Sequence, residues 1–326
     1  MAKLLFFAGG VVLLVLLIRE TDTVELWRRI REAGWMFTLA FGAHVGFMAM
    51  GALAWQTLLC TKEPVAFAPV FAAFWSGESL NYLLPAGAPG EIAKGIFLKE
   101  RVEPAELVES LTIYNLLSGV SIFLWVLMGS VAGLVALDIP SGVPVLSAAA
   151  AALMLALMVG IRMALKADKL GRWLAWGNKI PFVRYDAEAV QERIQSMDER
   201  LRAYRHEERK RFTRTIAILL IERAFTVLEV YFLLLGLMPD RSADWLLWLS
   251  WMVLAAGEVV MYLTVFVPGQ IGALEAGMTA IFGLSALPVT VGLALELLRR
   301  GRKILSILLM GVFWTIAQAS PRRSRA

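Results

Sequence analysis

Trp35 to Leu59 runs without a single Asp, Glu, Lys or Arg. A stretch of about 20 apolar residues is long enough to cross the hydrocarbon core of a bilayer as a helix. Backbone polar groups placed there must bond to one another, which leaves only the helix and the closed barrel as spanning structures. Mostly apolar runs, each carrying one to three charged residues, occupy Leu107 to Leu137, Val145 to Leu165, Ile216 to Leu237 and Trp245 to Phe266. They are continuous rather than alternating, so the barrel pattern fails. An all-α polytopic membrane protein is expected. Composition agrees: 59% of the 326 residues are hydrophobic and 18% are charged, against about half and about a quarter in soluble domains.

Several function classes drop out early. Cys60 is the single cysteine, and His44 and His206 are the only histidines, so neither a disulfide framework nor a Cys/His metal cluster is expected. No G-x-x-x-x-G-K-[ST] loop occurs, so ATP is not expected to drive the protein, and no cofactor is implied. The net charge of +5 reads as cytoplasmic loops facing anionic lipid rather than as a nucleic-acid surface. Residues 1–18 place Lys3 before an apolar core, but "RETDTVELWRRI" offers no small-residue cleavage site. An uncleaved first helix with a cytoplasmic N-terminus follows, in a bacterial or archaeal plasma (inner) membrane.

Between the spans, Arg19 to Gly34 reads as a short interfacial helix. The hydrophilic stretch Lys166 to Arg214 holds 13 Lys/Arg and 8 Asp/Glu. Within it Val190, Ile194, Met197, Leu201 and Tyr204 form one apolar stripe, expected to be a surface helix or a partner-binding face. By the positive-inside rule this segment is cytoplasmic. Counting outward from it puts Asp138–Pro144 and Pro239–Asp244 outside, and Lys94, Lys99 and Arg101 inside. "RRGRK", Arg299 to Lys303, would be an inside loop between two last spans, 287–298 and 304–319.

Two interruptions stand out. "FWSGESLNYLLPAGAPGEIAKGIF" (Phe74 to Phe97) begins as an apolar helix and then breaks at Pro85, Pro89 and Gly90. "VFVPGQIGALEAGMTAIF" (Val265 to Phe282) breaks at Pro268, Gly269 and Gly272. Each follows an apolar half-helix carrying a glutamate, Glu78 or Glu258. Paired breaks in two halves are the pointer to inverted-repeat transporters, with the binding site at the broken helices. The expected layout is one membrane domain, 1–326, with a first repeat at 35–165, a linker at 166–214 and a second repeat at 215–319. About seven full spans would accompany two re-entrant hairpins. If Ala66–Leu84 crosses fully instead, that symmetry is lost; the hairpin reading is preferred because it closes the pattern. It leaves a cost against the positive-inside rule: Arg19, Arg28, Arg29 and Arg31 would lie outside, though accompanied by Glu20, Asp22, Glu25 and Glu32, and so would the tail arginines 322, 323 and 325.

"NYLLPAGAPGEIAKGIFLKE", "VFVPGQIGALEAGMTAIFGL" and "ALELLRRGRK" resemble signatures of the lysylphosphatidylglycerol synthase transmembrane (flippase-like) family, which includes hopanoid-associated members. Asn81, Pro85, Gly90 and Glu91 fit the first motif, with Lys94 at its basic position; Pro268, Gly272 and Glu275 fit the second. The chain departs from the pattern at Ala86 and Gly87, where the family often has Arg, and at Tyr114 and Asn115, where it often has a charged pair. The resemblance implies lipid translocation and, in some members, an attached aminoacyl-transferase domain. Only a short basic tail follows Ala319, so aminoacylation is not expected; no His/Cys/Asp constellation with ligand spacing occurs, so enzyme activity in general is not expected either.

Ionisable groups in hydrocarbon cost roughly 2.5–3.5 kcal/mol each and need a partner or a cavity. Glu78, Glu91, Glu258 and Glu275 are expected to converge if the breaks meet, with Gln270 beside them. Lys94 is the cation for Glu91 or for a lipid phosphate. Half-helix N-termini near Gly90 and Gly272 would offer free N–H groups to phosphate oxygens. The plainer readings are an ion pair between Glu91 and Lys94, turn-shaping prolines, and a packing or hydrogen-bonding His44. Glu222, Arg223 and Glu229 fit an ion pair or a proton relay equally. The function expected is a flippase or scramblase for a phosphate-bearing or glycosylated lipid (phospholipid, polyprenyl-phosphate or hopanoid-like). A secondary transporter of a small anion is the alternative. Membrane lipids and lipid-synthesis enzymes are the expected partners.

Overall fold

The computed structural model describes residues 2–59, 61, 64–83, 88–150, 152, 209–264 and 267–319, and their regular structure is entirely helical. In chain order the helices are α1 (Ala2–Glu20), α2 (Thr23–Ala33), α3 (Met36–Gln56), α4 (Phe67–Leu83), α5 (Ala88–Leu98), α6 (Pro104–Ala136), α7 (Arg209–Leu237), α8 (Ala243–Leu263), α9 (Ala273–Leu284) and α10 (Val289–Ala319). Residues 142–150 are helical as well, and a short 3-10 turn covers Pro268–Gln270. By length and composition α3, α6 and α8 are long and apolar enough to cross a membrane. Most of the expected span 145–165 and of the amphipathic linker 166–214 lies outside the described residues. The linker's last residues, from Arg209, belong to α7.

Local sequence explains where these helices start. Asp22 accepts hydrogen bonds from the N–H groups of Val24 (2.9 Å) and Glu25 (3.1 Å), an N-cap that contributes about 1 kcal/mol to α2. Pro104 occupies the first turn of α6, where its missing N–H costs nothing. The expected polar helix of residues 19–34 is α2. It buries Leu26 and Ala33, and Arg29 donates to the Leu237 carbonyl at 3.0 Å.

α7 is the spine. Among the described residues it packs more extensively on α3 than any other helix pair does, and the two run antiparallel: Gly46 meets Phe225, Gly51 meets Glu222, and Thr57 Oγ1 lies 2.7 Å from Thr215 Oγ1. Ile218 and Leu219 enter one apolar cluster with Trp55, Phe74 and Leu107. Val227 to Leu237 enter a second with Leu246, Phe282 and Val291. The polar residues Glu222, Arg223, Thr226 and Glu229 sit on the helix between these two clusters.

These contacts set the directions of the elements. The turn at 137–143 and the start of α8 share the second cluster with Leu26, Ala33 and Leu237, so they lie at the α2 end. Leu58, Leu98, Val102 and Leu107 share the first cluster, and Gln56 donates to the Val65 carbonyl at 2.7 Å. The α4–α5 pair therefore leaves from, and returns to, the end opposite α2. α8 and α9 do the converse, beginning with Leu246 and finishing with Phe282 at the α2 end.

One expectation is corrected. The segments 287–298 and 304–319 are not two spans separated by a loop; α10 runs unbroken through "RRGRK". Four of those five residues are strong helix formers, and the three arginines among them meet carboxylates inside the protein. Arg299 pairs with Glu296 at 2.9 Å, Arg302 with Glu229 at 3.0 Å, and Arg300 with Glu275. α10 thus starts near the α2 end and passes Trp75 and Phe71 on its way to the opposite one.

Candidate functional site

Both interruptions are present as broken helices, and each folds back on itself. In the first, α4 stops at Leu83 and α5 starts at Ala88; Pro85 lies outside the described residues. Residue 77 faces 94 and residue 81 faces 90, an antiparallel pairing. Glycine is required for this approach: a Cβ on Gly77 would overlap the Lys94 side chain and the Gly90 carbonyl, and one on Gly90 would overlap Asn81 and the Gly77 carbonyl. In the second, Pro268 opens the 3-10 turn and Gly272 adopts φ +78° just before α9. Gly277 then packs against Val260 of α8.

The polar groups assigned to these breaks are largely bound by the chain itself. The Gly90 N–H donates to Asn81 Oδ1 at 3.0 Å. The Gly272 N–H donates to Glu275 Oε2 at 2.8 Å. Lys94 is fully buried and donates to Glu78 Oε1 at 2.7 Å and Glu91 Oε1 at 2.8 Å. Its ammonium also lies 4.6 Å from the Phe74 ring centre and 5.5 Å from that of Tyr114. The two half-helix N–H groups and the lysine expected for a phosphate therefore already have partners. The α9 start is closed by the i, i+3 geometry that lets a glutamate reach back to the cap.

Between the hairpins, α6, α7 and α10 enclose a cavity of about 640 Å³. The first break contributes Glu78, Asn81 and Glu91, and the second contributes Glu258 and Gln270. α7 adds Glu222, Arg223, Thr226 and Glu229. Glu275 is not on this lining; fully buried, it caps α9 and pairs with Arg300. Gln270 donates from its amide to the Met261 carbonyl at 2.8 Å. Of the α7 triad, Arg223 donates to Ser118 Oγ at 2.7 Å and stands 3.9 Å from Glu222. Glu222 accepts from Tyr114 Oη at 3.3 Å.

Sequence reasoning missed one wall. Arg299, Arg302 and Lys303 of α10 line the cavity, although "RRGRK" reads as a loop. The signal was present in the spacing: 296, 299, 302 and 303 fall on one helical face. Arg302 also contacts His44 Nδ1, and His44 Nε2 lies 3.4 Å from Ser306 Oγ, which accepts from Trp75 Nε1 at 2.7 Å. His44 is accordingly a buried hydrogen-bonding residue joining α3, α4, α7 and α10. Tyr114 and Asn115, where the family pattern often has charges, line the cavity too. Among the described residues no group of three or more His, Cys, Asp or Glu is placed to hold a metal ion.

No curated protein and no solved structure matches the chain. A family model, the lysylphosphatidylglycerol synthase TM region, matches residues 1–311. That match takes in both broken helices and the charged turn of α10, and this chain belongs to the lysylphosphatidylglycerol synthase transmembrane family.

Proposed function

We propose that the protein is a lipid flippase or scramblase without enzymatic activity, passing the headgroup of a phosphate-bearing or glycosylated lipid through the polar cavity while the tail stays in the bilayer. The observation that carries this reading is the cavity itself: about 640 Å³ lined by both broken helices and charged residues of α7 and α10, in a molecule with an apolar exterior. Such a concentration of ionisable groups at membrane depth marks a substrate path by default. Tyr262 is on the cavity lining, while it and the neighbouring Leu263 are exposed by 37% and 67%. That adjacency suits a groove open sideways to lipid better than a closed solute chamber.

In this reading α4–α5 and α8–α9 are re-entrant hairpins dipping in from opposite faces. The sets α3, α4–α5, α6 and α7, α8–α9, α10 form an inverted repeat, since each is helix, hairpin, helix with reversed direction. Movement is passive or coupled to an ion gradient. Fluorescent lipids of differing headgroup in proteoliposomes, bleached by a membrane-impermeant reductant, test it. Faster bleaching of the inner-leaflet pool in the presence of protein is expected. No acceleration for any lipid, together with uptake of a small anion into the same vesicles, would favour the secondary transporter instead.

A further inference from the structure

The polar cavity has an apolar neighbour. Phe71, Ala72 and Trp75 of α4, with Leu309 and Met310 of α10, line a separate slot of about 270 Å³. The lining carries no charged residue, and its one polar side-chain group, the Trp75 indole N–H, already donates to Ser306 Oγ at 2.7 Å. Met310 is buried, whereas Leu309 is 42% exposed among the described residues.

Slot and cavity lie on one seam. On α10 the cavity-lining Arg299, Arg302 and Lys303 lead through Ser306 to Leu309 and Met310 in steps of three or four residues. On α4 the cavity-lining Tyr82 and Glu78 lead in the same steps to Trp75 and then Phe71. Such spacing keeps each series on one face of its helix. The two faces meet antiparallel. Arg302 and Lys303 lie 5.9 and 5.7 Å from the Tyr82 ring centre, Trp75 bonds Ser306, and Phe71 and Ala72 share the slot with Leu309 and Met310.

This layout selects the occupant. A polar solute would find no hydrogen-bond partner in the slot and would lose those it had in water. A helix, about 10 Å across, does not fit so small a space. A hydrocarbon chain fits both size and chemistry. Arg302 to Leu309 is seven residues, about 10 Å of helix. One lipid chain reaches across half of the bilayer core, about 15 Å. A lipid with its headgroup in the cavity therefore reaches the slot with its chain.

Resting on the lipid-translocation reading above, we propose that the α4–α10 slot holds the hydrocarbon chain of the lipid whose headgroup occupies the cavity. The test uses proteoliposomes of the full chain. Phosphatidylglycerol with a diazirine midway along one chain is photoactivated, and the adducts are mapped by mass spectrometry. Residues 71–75 and 306–310 are expected to carry several times more adduct than Leu134 and Val135 of α6, although those are 42% and 81% exposed. No more adduct on the seam than on α6 would overturn the slot. In the reductant assay with fluorescent phosphatidylglycerol, Ala72→Trp, which fills the slot, is expected to slow movement about tenfold, while Ala72→Ser keeps the unmodified rate. An unmodified rate for a folded Ala72→Trp would overturn the slot and leave translocation standing. No movement by the unmodified protein would sink both. The labelling needs no variant, so it decides the matter even if Ala72→Trp fails to fold.

Discussion

Lys94 shows how a single residue can be read correctly for type and incompletely for role. Its spacing from Glu91 announces an ion pair, and that pair forms at 2.8 Å. The second partner, Glu78, is 16 residues away on the other arm of the hairpin, at 2.7 Å, and no local pattern points to it. The lysine is thus a clip between α4 and α5, held over two aromatic rings. Removing one partner of a buried pair is costly because the remaining charge stays uncompensated. Lys94→Met is expected to destabilise the protein by about 3 kcal/mol, the lower part of the range for a buried pair, since Glu78 and Glu91 keep 22% and 27% exposure. The triple variant that also carries Glu78→Gln and Glu91→Gln should recover most of that loss. Thermal unfolding in detergent, compared across the set, measures both.

Among the elements, α10 departs furthest from its sequence signal. A charged run between two apolar stretches reads as a loop because a charge facing lipid is expensive. Here the charges face other helices: Glu229 of α7 lies 70 residues before Arg299, and Glu275 lies on α9. Once those partners exist, nothing in "RRGRK" except Gly301 opposes helix, and a Cβ on Gly301 would meet no described atom within 4 Å beyond its chain neighbours and the helix's own backbone. The backbone amides of 299–303 are accordingly expected to exchange hydrogen slowly, as slowly as those of 291–295, when followed by mass spectrometry in nanodiscs. Rapid exchange confined to 299–303 would restore the loop. The breaks in α4–α5 and α8–α9, by contrast, were legible directly, because proline and glycine act on the local backbone whatever surrounds them.

For the whole molecule, joining the last two segments into α10 changes the topology. The helix carries the chain from the α2 end to the opposite end, where Thr57 meets Thr215. The basic tail is then expected on the same side as the basic α7 start, which removes the conflict with the positive-inside rule. Single cysteines at Arg28, Asp138 and Asp240 should label together from the outside, and cysteines at Lys99 and Arg214 only after the membrane is opened. Labelling of Arg28 with the Lys99 group would break the hairpin arrangement. By itself the sequence determined the all-helical membrane class, the family and the position of both breaks, since hydropathy, proline and glycine act within a turn or two of where they stand. Only the tertiary structure decided which carboxylate each cation meets, that α10 is continuous, and which side chains line the cavity. Those outcomes depend on contacts between residues as far apart as His44 and Arg302, and no local pattern encodes such a distance.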